Sequence, residues 1–160
     1  MAAQVECSHH PLRLEVLDDL PPLEALVVFI AENERPLVGA AGFLDWRMSG
    51  RLSRLLKSAF FTGASDDQLL VTTEGALPIP RVFAVGMGRT GILQRERVDA
   101  LLERAAEILN RAGIKEVALE LPPGAALEPE VRQSALKQGF LKTFQGRRVA
   151  VLEPAGADAI

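Results

Sequence analysis

The chain has 160 residues, with 18 basic and 21 acidic side chains for a net charge of −3, and it is 48% apolar and 24% charged. That balance excludes a disordered chain, which needs low hydrophobicity and high net charge, and argues against a dedicated nucleic-acid binder, whose surface is basic. A lone cysteine, Cys7, excludes an intrachain disulfide; a domain of this size buries roughly 70% of its unfolded surface and needs none.

Met1–His10 is polar, lacks the apolar stretch of a signal peptide and is expected to be an unstructured end, in keeping with a cytoplasmic protein. The longest apolar run, Ala25–Ala31, is far short of a membrane span. Leu12–Leu17 reads as a first strand, because Leu12, Leu14 and Val16 alternate with Arg13 and Glu15. Ala25–Ile30 is continuously apolar, as a strand covered on both faces should be. Leu44, Met48, Leu52, Leu55 and Leu56 form one stripe and predict a helix over about Phe43–Lys57, with Gly50 inside it. Leu69–Thr72 and Arg81–Val85 read as strands. A long helix is expected from about Gln94 to Ala112, closed by Gly113. Glu116–Leu121 is a strand stopped by Pro122 and Pro123. A short helix follows between Pro129 and Gly139, with Gly139 just past its end. Phe140–Phe144 and Arg148–Leu152 read as a closing hairpin, and 154–160 as a frayed tail.

Six or seven strands alternating with three helices predict one α/β domain over 1–160. Its architecture is three-layer α/β/α around a mixed, mostly parallel sheet of about six strands. In such sheets ligands bind at the carboxyl ends of strands, here the loops after Ile30 and Val85.

The chemistry-bearing stretches each admit two readings. Gly86-Met87-Gly88-Arg89-Thr90-Gly91 is either a tight strand-to-helix turn or a phosphate cradle, with Arg89 supplying the charge. Gly39-Ala40-Ala41-Gly42 is either close helix packing or an anion nest. Arg47, Arg51, Arg54 and Lys57 recur at 4, 3 and 3, a basic stripe beside the only Trp, Trp46. That face is either simply solvated or meets a partner. Cys7-Ser8-His9-His10 holds the cysteine and both histidines, but three ligands on a loose end make a poor metal site. No histidine follows residue 10, so no catalytic triad is expected in the folded core. Asp18-Asp19 and Asp66-Asp67 read as solvated turn carboxylates.

The stretch from Ala25-Leu-Val-Val-Phe-Ile-Ala-Glu32 through Pro36-Leu-Val-Gly-Ala-Ala-Gly-Phe-Leu-Asp-Trp46 to Leu56 is followed by Phe61-Thr62-Gly63 and Val85-Gly86-Met87-Gly88. In that order, from about Leu14 to Val151, the chain resembles the N-terminal domain of the leucyl aminopeptidase family, the two-metal cytosolic exopeptidases. The resemblance implies a macro-domain-like fold and a non-catalytic role in assembling oligomers and shaping access to the site. Metals and catalytic residues would belong to a separate C-terminal domain, whose asparagine-threonine-aspartate-alanine-glutamate-glycine-arginine stretch does not occur in these residues. Macro domains proper bind ADP-ribose through two loops whose counterparts are Asn33–Gly42 and Gly86–Gly91. The paired asparagines and glycine run of those domains are missing here. The expectation is therefore a binding or assembly module without metal or cofactor, taking a protein partner or its own copy through Trp46, Arg47, Arg51 and Arg54. The alternatives are a nucleotide or ADP-ribose module using Gly39, Gly42, Gly86, Gly88, Arg89 and Gly91, and, less in keeping with the sequence, an aminopeptidase-related hydrolase. Nucleic acid and membrane are not expected partners.

Overall fold

The computed structural model describes residues 4–33, 35–89, 95–122 and 129–153. Its sheet has six strands in the order β1 (Glu6–Pro11), β6 (Arg148–Glu153), β5 (Glu116–Glu120), β2 (Ala25–Ile30), β4 (Arg81–Gly86), β3 (Gln68–Thr72). All neighbours are parallel except β3, which runs antiparallel to β4. This is the expected three-layer, mostly parallel architecture.

The continuous apolar run of β2 is explained by its place between β5 and β4, where all six residues are buried. Alternate residues feed two cores. Val27 and Phe29 join Val85, Val117, Leu119 and Val151 on one face, under α4 (Arg95–Arg111) and α5 (Pro129–Ala135). Leu26, Val28 and Ile30 join Val82 and Leu152 on the other, under α1 (Leu14–Asp19), α2 (Gly39–Arg47) and α3 (Arg51–Lys57). The amphipathic period of α4 places Val98, Leu102, Ala105 and Leu109 inward. Gly113 closes that helix at φ +74°, with the Ile114 N–H donating to the Leu109 carbonyl at 3.0 Å.

Three expectations are corrected. First, Leu12–Leu17 is not a strand: Leu14–Asp19 is helical, and Leu12 and Leu17, not an alternating set, are the buried residues. The first strand instead lies in the stretch expected to be unstructured, pairing in register from Glu6↔Arg148 to Pro11↔Glu153. Second, the helix expected over Phe43–Lys57 is two helices. Ser49 (φ +56°) and Gly50 (φ +81°) take consecutive left-handed conformations, which end α2 and restart the chain as α3. Gly50 has no side chain to cap α3, and Asp45 does so instead, accepting from the Ser53 N–H at 3.0 Å. Third, there is no closing hairpin. The chain after α5 continues as a π-helical turn over Leu136–Leu141, and β6 runs parallel between β1 and β5. Gly139 lies inside that turn, where a Cβ would come within 3.1 Å of the Asp99 carbonyl oxygen of α4. Phe140 and Phe144 stack at 5.0 Å between ring centroids within the core beneath α4.

Candidate functional site

Because β2, β4 and β5 are parallel, their carboxyl ends at Ile30, Gly86 and Glu120 meet at one end of the sheet. The connection 58–67, which leads into antiparallel β3, arrives at the same end. This is the position where the fold offers a ligand crevice.

The glycine turn after β4 is occupied by the protein itself. The Gly86 N–H donates to Asp67 O at 2.9 Å, the Met87 N–H to Ile30 O at 2.9 Å and the Gly88 N–H to Gly63 O at 2.8 Å. A phosphate cradle requires those same N–H groups. A Cβ on Gly86 would overlap the Ala64 carbonyl oxygen, and one on Gly88 (φ +73°) would overlap the Ser65 hydroxyl. Arg97 and Arg104 of α4 clamp the arrangement, donating to the carbonyls of Met87 and Ser65. Arg35 ties the loop after β2 to the same connection, reaching Ala31 O at 2.9 Å and Thr62 O at 3.3 Å. Gly86 and Gly88 thus serve close backbone packing. Arg89 is exposed beyond them, and Gly91 lies outside the described residues.

The second glycine pair does receive an anion, and it is internal. Glu120, at the end of β5 and 7% exposed, accepts from the Ala40 N–H at 2.8 Å in the first turn of α2. Gly39 has φ +62°, and a Cβ there would overlap this carboxylate. At Gly42 a Cβ would come within 2.8 Å of Leu37 O. Sequence reasoning singled out the glycines and missed Glu120, although a carboxylate closing the strand after the apolar Val117-Ala118-Leu119, two residues before Pro122, is a visible signal.

The basic stripe does not form as one face, because the break at Ser49-Gly50 splits it. Arg47 makes a bidentate pair with Asp18, at 2.8 and 2.7 Å. That pairing holds the Asp18 carboxyl below its ordinary range and raises the Arg47 guanidinium. Arg51 donates to Thr72 O at 2.8 Å and Arg54 to Ser49 O at 2.7 Å. Neither acidic pair is merely solvated: Asp67 accepts from the Thr62 N–H at 2.7 Å. Trp46 is 71% exposed. It borders a shallow groove of about 500 Å³ shared with Leu37, Gly42, Asp45, Gly50 and Ser53.

At the opposite edge, Cys7 and His9 stand on the sheet, not on a loose end. His9 Nδ1 lies 2.8 Å from Glu153 Oε1, which also accepts Arg132 on its other oxygen at 3.2 Å. Cys7 Sγ lies 3.9 Å from His9 Nε2, so a thiol–imidazole–carboxylate line sits within the folded sheet, where none was expected. Although Cys7 is exposed overall, partial desolvation of its thiol, followed by the Glu153 charge, pushes the thiol pKa up. Among the described residues no three His, Cys, Asp or Glu side chains are placed to hold a metal, and no helix is long and apolar enough to cross a membrane.

Comparison with known proteins places this geometry. The chain is 33% identical over 137 residues to a probable cytosol aminopeptidase of Geobacter sp. strain M21, covering 83% of this chain and 27% of that protein. It spans about a quarter of the length of the curated relatives it matches. The macrodomain of Thermus aquaticus DarG superposes with a TM-score of 0.66 at 18% identity, over 95% of this chain and 99% of that one. A Trypanosoma brucei macrodomain in complex with ADP-ribose superposes with a TM-score of 0.60 at 14% identity, over 94% and 64%. These likenesses establish the macrodomain-like fold expected from the sequence. Residues 27–142 match the model of the N-terminal domain of the cytosol aminopeptidase family, and the chain belongs to that family.

Proposed function

We propose that this chain is a non-catalytic binding and assembly module of the cytoplasm, acting through contacts with another protein or with its own copies. The observation that carries this reading is the filled strand-end crevice. The N–H groups of residues 86–88 are engaged by backbone carbonyls, and Glu120 holds the helix N-terminus that an anionic ligand would use. Large apolar side chains are turned to solvent at Val38, Trp46, Phe60 and Leu70. Exposed aromatic side chains of this kind are the usual anchors of protein contacts. The peptidase activity of full-length relatives is not expected here, and turnover of leucine-p-nitroanilide with added zinc or manganese tests that. Size-exclusion light scattering, combined with capture of partners from its own cytoplasm by wild-type and Trp46→Ala baits, tests the assembly reading. A defined oligomer or a Trp46-dependent partner supports it; a strict monomer that captures nothing overturns it.

A small-ligand reading is favoured by one observation, the fold shared with a macrodomain that holds ADP-ribose. Here the exposed Arg89 would supply the charge. Calorimetry with millimolar ADP-ribose decides between the two readings. The assembly reading expects no heat, whereas binding lost in both Gly88→Glu and Arg89→Ala would establish the ligand.

A further inference from the structure

The two edges of the sheet are unequal. The β1 edge reads Glu-Cys-Ser-His-His-Pro, with a charge, two histidines and a terminal proline, the residue types that protect an edge from pairing. The β3 edge reads Gln-Leu-Leu-Val-Thr, without charge or proline. Its hydrogen-bonding parity is set by two bonds, the Gly86 N–H to Asp67 O and the Thr73 N–H to Pro80 O, both at 2.9 Å. In an antiparallel pair such residues recur every second position. Asp67, Leu69, Val71 and Thr73 therefore bond towards β4, while Gln68, Leu70 and Thr72 turn their N–H and C=O groups outward. Outside the sheet, Arg51 takes the Thr72 carbonyl; among the described residues nothing bonds the outward groups of Gln68 or Leu70. Leu70 is also 54% exposed and opens onto a groove of about 390 Å³ shared with Phe83, Ile108, Arg111 and Ala112.

We propose that this edge pairs antiparallel with the same edge of a second copy, about a two-fold axis at Leu70, so that two six-stranded sheets become one. The proposal rests on the assembly reading above and specifies its surface. A second copy is favoured because the two-fold matches the edge to itself. Leu70 N–H and C=O of each copy meet C=O and N–H of the other, and the Thr72 N–H meets the Gln68 C=O, while the Thr72 carbonyl keeps Arg51. The two Leu70 side chains then pack together at the mouths of the two grooves. Charge agrees with that register. The N-terminal end of β3 carries exposed Asp66, while Arg51, which also reaches Glu74 at 3.7 Å, and Arg111 stand towards its other end. The two-fold also sets Asp66 towards Glu74 of the other copy, but Arg51, Arg81 and Arg111 stand beside that Glu74, so the end that Asp66 meets is net basic.

The test is light scattering and sedimentation across a concentration series, on wild type, Leu70→Lys and Leu70→Pro. Both substitutions act on outward-facing groups, since proline at 70 removes an N–H that does not bond β4. Circular dichroism and urea unfolding check that each variant folds. The expected result is a wild-type dimer whose dissociation constant rises at least tenfold in both variants. Should either variant fail to fold, Leu70→Cys in a Cys7→Ser background provides the measurement. Paired residues at that register lie about 5.5 Å apart between Cα atoms, within disulfide reach, so mild oxidation should yield a covalent dimer. A wild-type dimer indifferent to Leu70→Lys and not cross-linked through position 70 overturns the β3 interface and leaves the assembly reading standing. A strictly monomeric wild type overturns the interface as well, and the partner-capture experiment then decides the assembly reading alone.

Discussion

The Glu120 carboxylate lies 2.8 Å from the backbone N–H of Ala40, joining the end of a central strand to the start of a helix on one face of the sheet. A helix N-terminus leaves N–H groups without intrahelical acceptors and carries partial positive charge. Here the protein supplies the anion itself, and Gly39 is the residue that makes room for it.

Removing that acceptor leaves a buried donor without its partner. Glu120→Ala is expected to lower stability by about 1–3 kcal/mol, read as an earlier urea midpoint with unchanged m-value. Glu120→Gln keeps an oxygen facing Ala40 and should lose distinctly less. Equal losses would mean that the hydrogen bond to Ala40 contributes nothing beyond packing.

Two glycines separate steric from conformational need. At Gly75 (φ +87°) a Cβ meets no atom within 4 Å, so Gly75→Ala should cost only the left-handed backbone penalty, about 1 kcal/mol. At Gly86 the Cβ would overlap Ala64 O and come within 2.8 Å of the Gly63 carbonyl carbon, so the connection 58–67 must move. Gly86→Ala should cost about 3 kcal/mol or more. Denaturant unfolding of both variants measures the difference, and similar values would contradict the packing described.

Ser49 is exposed and adopts φ +56° in the break between α2 and α3. Glycine adopts that conformation without the Cβ clash. Ser49→Gly is therefore expected to stabilise by about 0.5–1 kcal/mol, a rise of about 2–4 °C in Tm at most. Calorimetry showing a lower Tm would refute the assignment of strain to this position.

The Asp18–Arg47 pair predicts a pH dependence of defined sign. The Asp18 carboxyl titrates lower in the folded chain than in the unfolded one, because Arg47 donates to its charged form. Its contribution is complete above the unfolded carboxylate range, about pH 4, and fades as pH falls through the lower folded value. Wild type should exceed Asp18→Asn in stability at pH 7, and the gap should close on acidification. A gap that persists at pH 2 would assign the effect to something other than ionisation.

Where residues report their surroundings through burial, the sequence was readable. The wholly apolar Ala25–Ile30 had to be a central strand, and the period of α4 fixed its inward face. Polar segments were not readable in this way. An edge strand such as β1 is paired on one side only, so Glu6–Pro11 carries no apolar alternation and its partner lies at the other end of the chain. The split at Ser49-Gly50 was hidden because the buried stripe of Leu44, Met48 and Leu52 continues across it. In the crevice the glycines were legible by type but their purpose was not. What Gly86 and Gly88 accommodate is the connection 58–67, which no local pattern announces.

The placement of β1 beside β6 has a consequence for the order of assembly. Glu6 aligns with Arg148, so among the described strands the first in chain order has no seat until the last is docked on β5. Pairing so remote in sequence closes late and slowly. Closing the β1–β6 ladder therefore waits on β6, whereas Ala25–Ile30 finds its partners β4 and β5 nearer in the chain.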